Sequence, residues 1–364
     1  MVASICWPSA SEFMGKLKLN IKGLVVAFIG ALVANLLHFP LPWLLGPLLA
    51  VNLCGAIGVQ VQCNELWRKC GQVIIGMTLG LYFTPTLVNA IGDYLIFVCI
   101  GVLWAVSLNI ILAILQRRFN HVDWATAWFA SSIGSASEMV NVAIKHNAKI
   151  DKVVAAHTLR ITLLVISLPL LLGMIFPIDP TQVLKSVNPS FDVLTLLLLG
   201  FMAIASALFF QKIKLLNSWL LGPLIVIGIW SYWGLLTEKM PNLLIYLGQL
   251  CIGWSLGSKF PYDFFQVNKK FIFNTLLFNS LAVFLTLCLC FGLGFFLKID
   301  IQILLLGLSP GGIAEMSLTA KALGVAVPIV VAFQVTRLIF VILTSSLIFR
   351  LSHYTIQKYK NYKE

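Results

Sequence analysis

Apolar residues run in long blocks along almost the whole chain, separated by short polar and basic stretches. The clearest blocks are Gly23 to Leu37, Tyr94 to Leu115, Ile161 to Phe176, Leu194 to Phe210 and Phe271 to Phe296. Such runs suit helices that cross about 30 Å of hydrocarbon. They recur along the full length and leave no room for a soluble domain. The pattern divides into six segments in each half. They lie at 21–38, 41–58, 66–84, 90–116, 123–147 and 151–177, then at 191–210, 216–235, 242–259, 267–297, 301–323 and 326–350.

The fifth segment of each half is interrupted. Asp123 to Ala130 runs into Ser131-Ser132-Ile133-Gly134-Ser135-Ala136-Ser137 before Glu138 to His146. Ile301 to Leu308 runs into Ser309-Pro310-Gly311-Gly312 before Ile313 to Leu323. Small and helix-breaking residues in mid-segment predict two half-helices rather than one span.

The halves also share motifs. Trp43-Leu44-Leu45-Gly46-Pro47-Leu48 returns as Trp219-Leu220-Leu221-Gly222-Pro223-Leu224, 176 residues later. Every other matched pair is 177 apart: Gly71-Gln72, Gly76 and Gly80 with Gly248-Gln249, Gly253 and Gly257; Ser132, Gly134, Glu138 and Met139 with Ser309, Gly311, Glu315 and Met316; Arg160 with Arg337. A duplicated apolar chain with acids and arginines in the same relative places is how many transporters are built.

Composition sharpens the class. Of 364 residues, 60% are hydrophobic and only 10% charged, against roughly 25% charged in soluble domains. The expected solvent is lipid. The net charge of +12 comes from Lys and Arg in short loops, as the positive-inside rule requires, so no nucleic-acid partner is implied. The start, Met1 to Lys18, carries no clear signal peptide, and the first apolar stretch reads as a retained helix. Eight cysteines and five histidines are scattered, with no CxxC. They read as unpaired thiols in apolar helices and dispersed histidines, so no metal and no cofactor is expected.

Loop charges bear on orientation. Arg117-Arg118 in the first half matches Gly294 and Phe295, and Lys269-Lys270 in the second matches Gly92 and Asp93. Positive loops that alternate predict repeats of opposite orientation. Inversion needs an odd number of crossings, which five helices plus one re-entrant broken hairpin supply. Lys16, Lys18, Arg68, Lys69, Lys145, Lys149, Lys152, Lys212, Lys214 and Arg350 then fall inside, and Lys185, Lys239, Lys298 and Lys321 outside. Twelve full crossings with parallel repeats are the alternative; they place Lys212 and Lys214 outside. The expected fold is therefore an all-α polytopic membrane protein with two inverted repeats, each of about five transmembrane helices plus one broken or re-entrant hairpin. A cytoplasmic segment 1–20, repeats 21–177 and 191–350, a loop 178–190 and a cytoplasmic tail 351–364 complete it.

Glu138 and Glu315 are the first candidates for chemistry. A carboxylate at membrane depth is costly unless it faces water, meets a cation or is protonated. Each falls in the first turn of a second half-helix, where free N–H groups stabilise negative charge. Helix capping alone is the plainer account, since Ser135 to Glu138 has capping-box spacing. Arg160 and Arg337 each lie in the last segment of a repeat. A buried guanidinium needs a partner, either a glutamate, in a salt bridge that locks the hairpin, or an anionic substrate. His157 and Gln334 sit three residues before each arginine, on nearly the same helix face. His157 is a candidate proton relay or a simple hydrogen-bonding residue. Ser132, Gly134, Ser309, Gly311 and Gly312 shape the unwound backbone, tolerated in a membrane only where protein or water covers it. The small-xxx-small glycines read as close helix packing. Trp-Leu-Leu-Gly-Pro reads as a kinked helix with an interfacial tryptophan.

These motifs resemble the AbrB family of integral membrane proteins. The resemblance rests on Pro42-Trp43-Leu44-Leu45-Gly46-Pro47 and its copy, Gly71-Gln72 with Gly76 and Gly80, and Ser309-Pro310-Gly311-Gly312-Ile313-Ala314-Glu315-Met316. It covers nearly all of the chain after residue 20. The first repeat lacks the proline and second glycine of the last element, so its hairpin need not match in geometry. The resemblance implies a transporter-like protein of the bacterial inner membrane. Family labels also include regulation of gene expression and ammonia monooxygenase. The first fits poorly with a chain that leaves no soluble domain, and the second needs a clustered metal site.

The sequence therefore points to a secondary transporter, coupled to protons or sodium, for an unidentified small solute. It is not expected to be an enzyme, its termini are expected in the cytoplasm, and a homo-oligomer is left open. A membrane-embedded sensor acting through a partner is the rival reading.

Overall fold

The computed structural model describes residues 10–39, 41–134, 136–175, 193–215, 217–236, 240–259, 269–297 and 299–361. The expected loop 178–190, the start of the N-terminal segment and the last three residues lie outside them, as do Lys185, Lys239, Lys298 and Ser135. Among the described residues every regular element is helical.

In chain order these are α1 (Ala10–Leu36), α2 (Pro42–Ala56), α3 (Glu65–Gly80), the short α4 (Pro85–Asn89), α5 (Leu95–Asn120), α6 (Trp124–Ser131), α7 (Ala136–Lys145) and α8 (Ile150–Ile175). The second half has α9 (Val193–Lys212), α10 (Ser218–Tyr232), α11 (Asn242–Gly257), α12 (Lys269–Leu297), α13 (Ile301–Leu308), α14 (Ile313–Ala322) and α15 (Val327–Asn361). Among the described residues six spans are long and apolar enough to cross a membrane: Leu17–Leu36, Gly92–Asn120, Ile150–Ile175, Val193–Lys212, Lys269–Leu297 and Val327–Ser352. They are the first, fourth and sixth segments of each half. The second and third segments are helices of only 15 or 16 residues, about 22–24 Å long at 1.5 Å per residue. Large apolar side chains point outward, among them Phe201, Phe284, Phe295 and Leu343, as a lipid solvent allows.

The chain forms two compact units. One holds residues 1–74 and 243–267, the other 75–242 and 268–364. The division falls inside α3 and sends α11 of the second half to the unit that holds α1 and α2 of the first.

Within the first unit, α1 and α2 touch through glycine: a methyl group on Gly46 would strike the Gly30 backbone. Then α11 packs on α2. A Cβ on Gly253 would collide with the Leu44 carbonyl, and one on Gly257 would lie 2.8 Å from Val51 Cβ. Trp43, half-buried, stacks on Tyr246 with ring centroids 5.4 Å apart. The second unit repeats this with the other halves' elements. Gly222 of α10 presses on Ala207 of α9, a Cβ on Gly76 of α3 would collide with the Leu220 carbonyl, and one on Gly80 would lie 3.0 Å from Ile227 Cβ. In each unit the third helix of one repeat thus packs on the second helix of the other. Close packing is the role the small-xxx-small spacing predicts.

The rest of the second unit positions the interrupted segments. Its core gathers Ala105, Leu108 and Leu112 of α5, Phe278 and Ala282 of α12, and Val341 of α15 around Ile133, a residue of the first break.

Candidate binding site at two broken helices

Each break has clear local causes. Asp123 caps α6, accepting from the Thr126 N–H at 2.8 Å and the Thr126 hydroxyl at 2.7 Å. Asp300, 177 residues on, caps α13 by accepting from the Gln302 N–H at 2.8 Å. The helices end when Ser132 (φ −55°, ψ 129°) and Ser309 (φ −61°, ψ 140°) turn extended. Gly312 then caps α14. Met139 and Met316, both fully buried, fold beneath Gly134 and Gly311, where a Cβ would meet their methyl carbons at 3.3 and 2.7 Å. Gly311 therefore tolerates no side chain without moving the methionine.

The first pair is a closed hairpin. Beyond α7, the Lys149 N–H donates to the Thr126 hydroxyl at the start of α6, at 2.8 Å. Entry and exit of the segment therefore lie side by side. The mouth is sealed by α15: Trp124 donates to Ser352 Oγ at 3.0 Å, Trp128 donates to the Ser345 carbonyl at 3.2 Å, and His146 packs between Phe129 and Phe349.

Unwinding frees carbonyls that a continuous helix would have satisfied, and the arginines take them. Arg160 Nη1 donates to the Ser131 carbonyl at 2.9 Å and Nη2 to that of Ser132 at 2.7 Å. Arg337 Nη1 donates to the Ser309 carbonyl and Nη2 to that of Gly311 at 2.6 Å. Arg160 Nη2 also donates to His157 Nδ1 at 2.7 Å, while His157 Nε2–H donates to the Phe129 carbonyl at 2.9 Å. In the second repeat Arg337 Nη2 donates to Gln334 Oε1 at 2.6 Å, and Gln334 Nε2 donates to the Leu306 carbonyl at 2.7 Å. These guanidinium bonds run to main-chain oxygen and to the residue one turn earlier. Because its partners are a carbonyl and a guanidinium, His157 is held as the neutral Nε2–H tautomer. In that geometry His157 positions the Arg160 guanidinium.

Glu315 is 8% exposed and occupies the third position of α14. Its carboxylate folds back over Gly312, whose Cβ position it would occupy. This is the geometry of a helix cap, so capping and any ligand role share one group. Glu138 stands in the first turn of α7, and its side chain lies outside the described residues.

Both breaks bury polar atoms that find no partner among the described residues: Asn109 Oδ1, Ser131 Oγ and Arg160 Nε at the first, Ser309 Oγ, Ser317 Oγ and Arg337 Nε at the second. Such atoms are rare in folded proteins and each calls for a reason. The breaks are neighbours: α8 packs on α14, and α15 packs on α6 and α7. Asn109, which donates to Ser132 Oγ at 3.4 Å, escaped the sequence reading, as did Ser317. The available signal for Asn109 was its match, 177 residues on, to the buried hydroxyl of Thr286. Asn109 also lines a void with Ala105, Trp128, Val341 and Ser345, with room for about one water.

Among the described residues no group of His, Cys, Asp or Glu has the geometry of a metal site. Seven described cysteines are free thiols.

Helices of membrane-spanning length, two of the segments between them broken and pinned by arginine, define a polytopic membrane-type helical protein. The family profile described as "Transition state regulatory protein AbrB" matches residues 43–353, and the chain belongs to that family. It is similar to "Uncharacterized protein YhjN" of Bacillus subtilis (strain 168), at 24% identity over 91% of this chain and 92% of the relative. It is similar also to "Putative regulator AbrB" of Escherichia coli (strain K12), at 24% identity over 86% of this chain and 90% of the relative. No solved structure matches the chain.

Proposed function

We propose that the protein is a secondary transporter of a small solute in the bacterial inner membrane, coupled to protons or sodium. Its repeats are inverted, its broken segments are re-entrant hairpins, and both termini face the cytoplasm. The solute binds at the two breaks. The observation that carries this reading is the matched pair of breaks with unsatisfied buried polar atoms. The hydrogen bond that returns Lys149 to Thr126 supports re-entry, because a segment of 8 plus 10 residues that turns back on itself enters and leaves on one side. Solute uptake into proteoliposomes is the test. Glu138→Gln, Glu315→Gln and the double variant should lose coupled uptake while keeping the fold. Unchanged uptake in all three makes the acids structural.

The relative named as a regulator supports a second reading, a membrane sensor that acts through a partner. The C-terminal extension is the candidate docking segment. Removing residues 353–364, beyond the Ser352 contact to Trp124, should abolish signalling if the protein is a sensor and spare uptake if it is a transporter.

A further inference from the structure

We infer that the second break binds a small organic monocarboxylate, held by the Nε–H of Arg337 and the hydroxyl of Ser309. The inference rests on the breaks being a binding site and names the chemistry that site selects.

The argument begins with what is already occupied. The carbonyls of Ser309 and Gly311 each accept from Arg337, and those of Ser131 and Ser132 from Arg160. Unwound carbonyls are where a membrane protein usually coordinates sodium. Here a guanidinium sits on them, and an arriving metal cation would meet a like charge. What remains open at the second break is a guanidinium N–H, which can only donate, and hydroxyls that can donate beside it. Arg337 is 5% exposed and Ser309 fully buried, and neither Arg337 Nε nor Ser309 Oγ has a partner among the described residues. Ser317, on α14 and likewise fully buried, adds another unpartnered hydroxyl. Arg337 reaches the residues immediately before Gly312, so these donors stand at the positive end of α14.

A ligand that satisfies an N–H and a hydroxyl together must offer two acceptors close to each other. The two oxygens of a carboxylate do so. Charge argues for a single negative group. Glu315 already places a carboxylate over Gly312, so a dianion such as sulfate or hydrogen phosphate adds a second repulsion that a monoanion avoids. The first break differs. Its open atoms include an acceptor, Asn109 Oδ1, beside a void of water size, which fits a water rather than an anion.

The test is thermal unfolding of the full chain in detergent, titrated with sodium acetate and sodium lactate against sodium chloride and sodium sulfate at equal ionic strength. Acetate or lactate should raise Tm in a saturable way, and chloride and sulfate should not. Ser309→Ala removes a hydroxyl without a partner among the described residues, so the unliganded Tm should hold. The apparent affinity for the carboxylate should fall about tenfold, the worth of one hydrogen bond to a charged group. Arg337→Lys keeps the charge but loses Nε–H, and should abolish the response. An equal response to chloride, no response to either carboxylate, or an unchanged response in Ser309→Ala overturns the inference. Uptake of a neutral or cationic solute that depends on Glu315, without a carboxylate response, overturns it while leaving transport standing. Carboxylate binding without uptake does the reverse.

Discussion

Arg160 donates to Nδ1 of His157 at 2.7 Å, and this bond makes the imidazole an acceptor on one side and, through the Phe129 carbonyl, a donor on the other. Gln334 does the same work for Arg337, with an amide oxygen in place of Nδ1 and an amide nitrogen in place of Nε2.

His157→Gln should therefore be tolerated, with a Tm close to that of the native chain. His157→Leu strips a donor from the Phe129 carbonyl and an acceptor from Arg160 in a fully buried setting, and should cost about 2–4 kcal/mol. Thermal unfolding of both variants in detergent checks this. Equal losses would show that ring volume, not hydrogen bonding, matters there.

The glycine contacts predict an interface intolerant of one methyl group. Gly76→Ala and Gly253→Ala drive a Cβ into the carbonyls of Leu220 and Leu44 and should each destabilise by about 1–3 kcal/mol, as overpacking does. Gly200→Ala meets nothing within 4 Å and should be neutral or slightly stabilising. A Gly76→Ala Tm that matches Gly200→Ala would refute the close approach.

Thr126→Val should loosen the first hairpin. The fully buried hydroxyl accepts from Lys149 and donates to Asp123. Its loss leaves a main-chain N–H without an acceptor at about 1–2 kcal/mol. Amide exchange by mass spectrometry should show faster exchange at residues 145–150. Unaltered exchange there would mean that the mouth is held by α15 alone.

Acid should weaken the same mouth. Burial first, then the positive charges of Arg350 and Lys145, hold the His146 imidazole below its ordinary range. A depressed histidine contributes stability that is present above the unfolded value, near 6.5, and is lost as pH falls through the folded one. The unfolded chain binds the proton more readily. Native Tm should drop more than that of His146→Gln on going from about pH 7.5 to 5.5. A parallel drop in both proteins would place the titrating group elsewhere.

Much of this arrangement was written in the order of residues. The apolar blocks demanded lipid-length helices, because so few charges cannot keep a surface wet. The duplicated motifs foretold matched elements, and Ser131-Ser132 and Ser309-Pro310-Gly311-Gly312 marked the breaks, since those residues interrupt helices wherever they stand. The candidate arginines and their turn-spaced partners His157 and Gln334 were visible as polar positions in apolar segments.

The pairings were not visible. Nothing in the order of residues says that Gly253 meets Leu44 or that Gly76 meets Leu220, because a glycine stripe states that something comes close and not what. Nor could it direct Arg160 and Arg337 to main-chain carbonyls. Periodicity tells which side chains are buried, but a buried guanidinium chooses among acceptors by distance. Only folding brings the freed carbonyls of each break within reach and leaves the neighbouring hydroxyls unanswered.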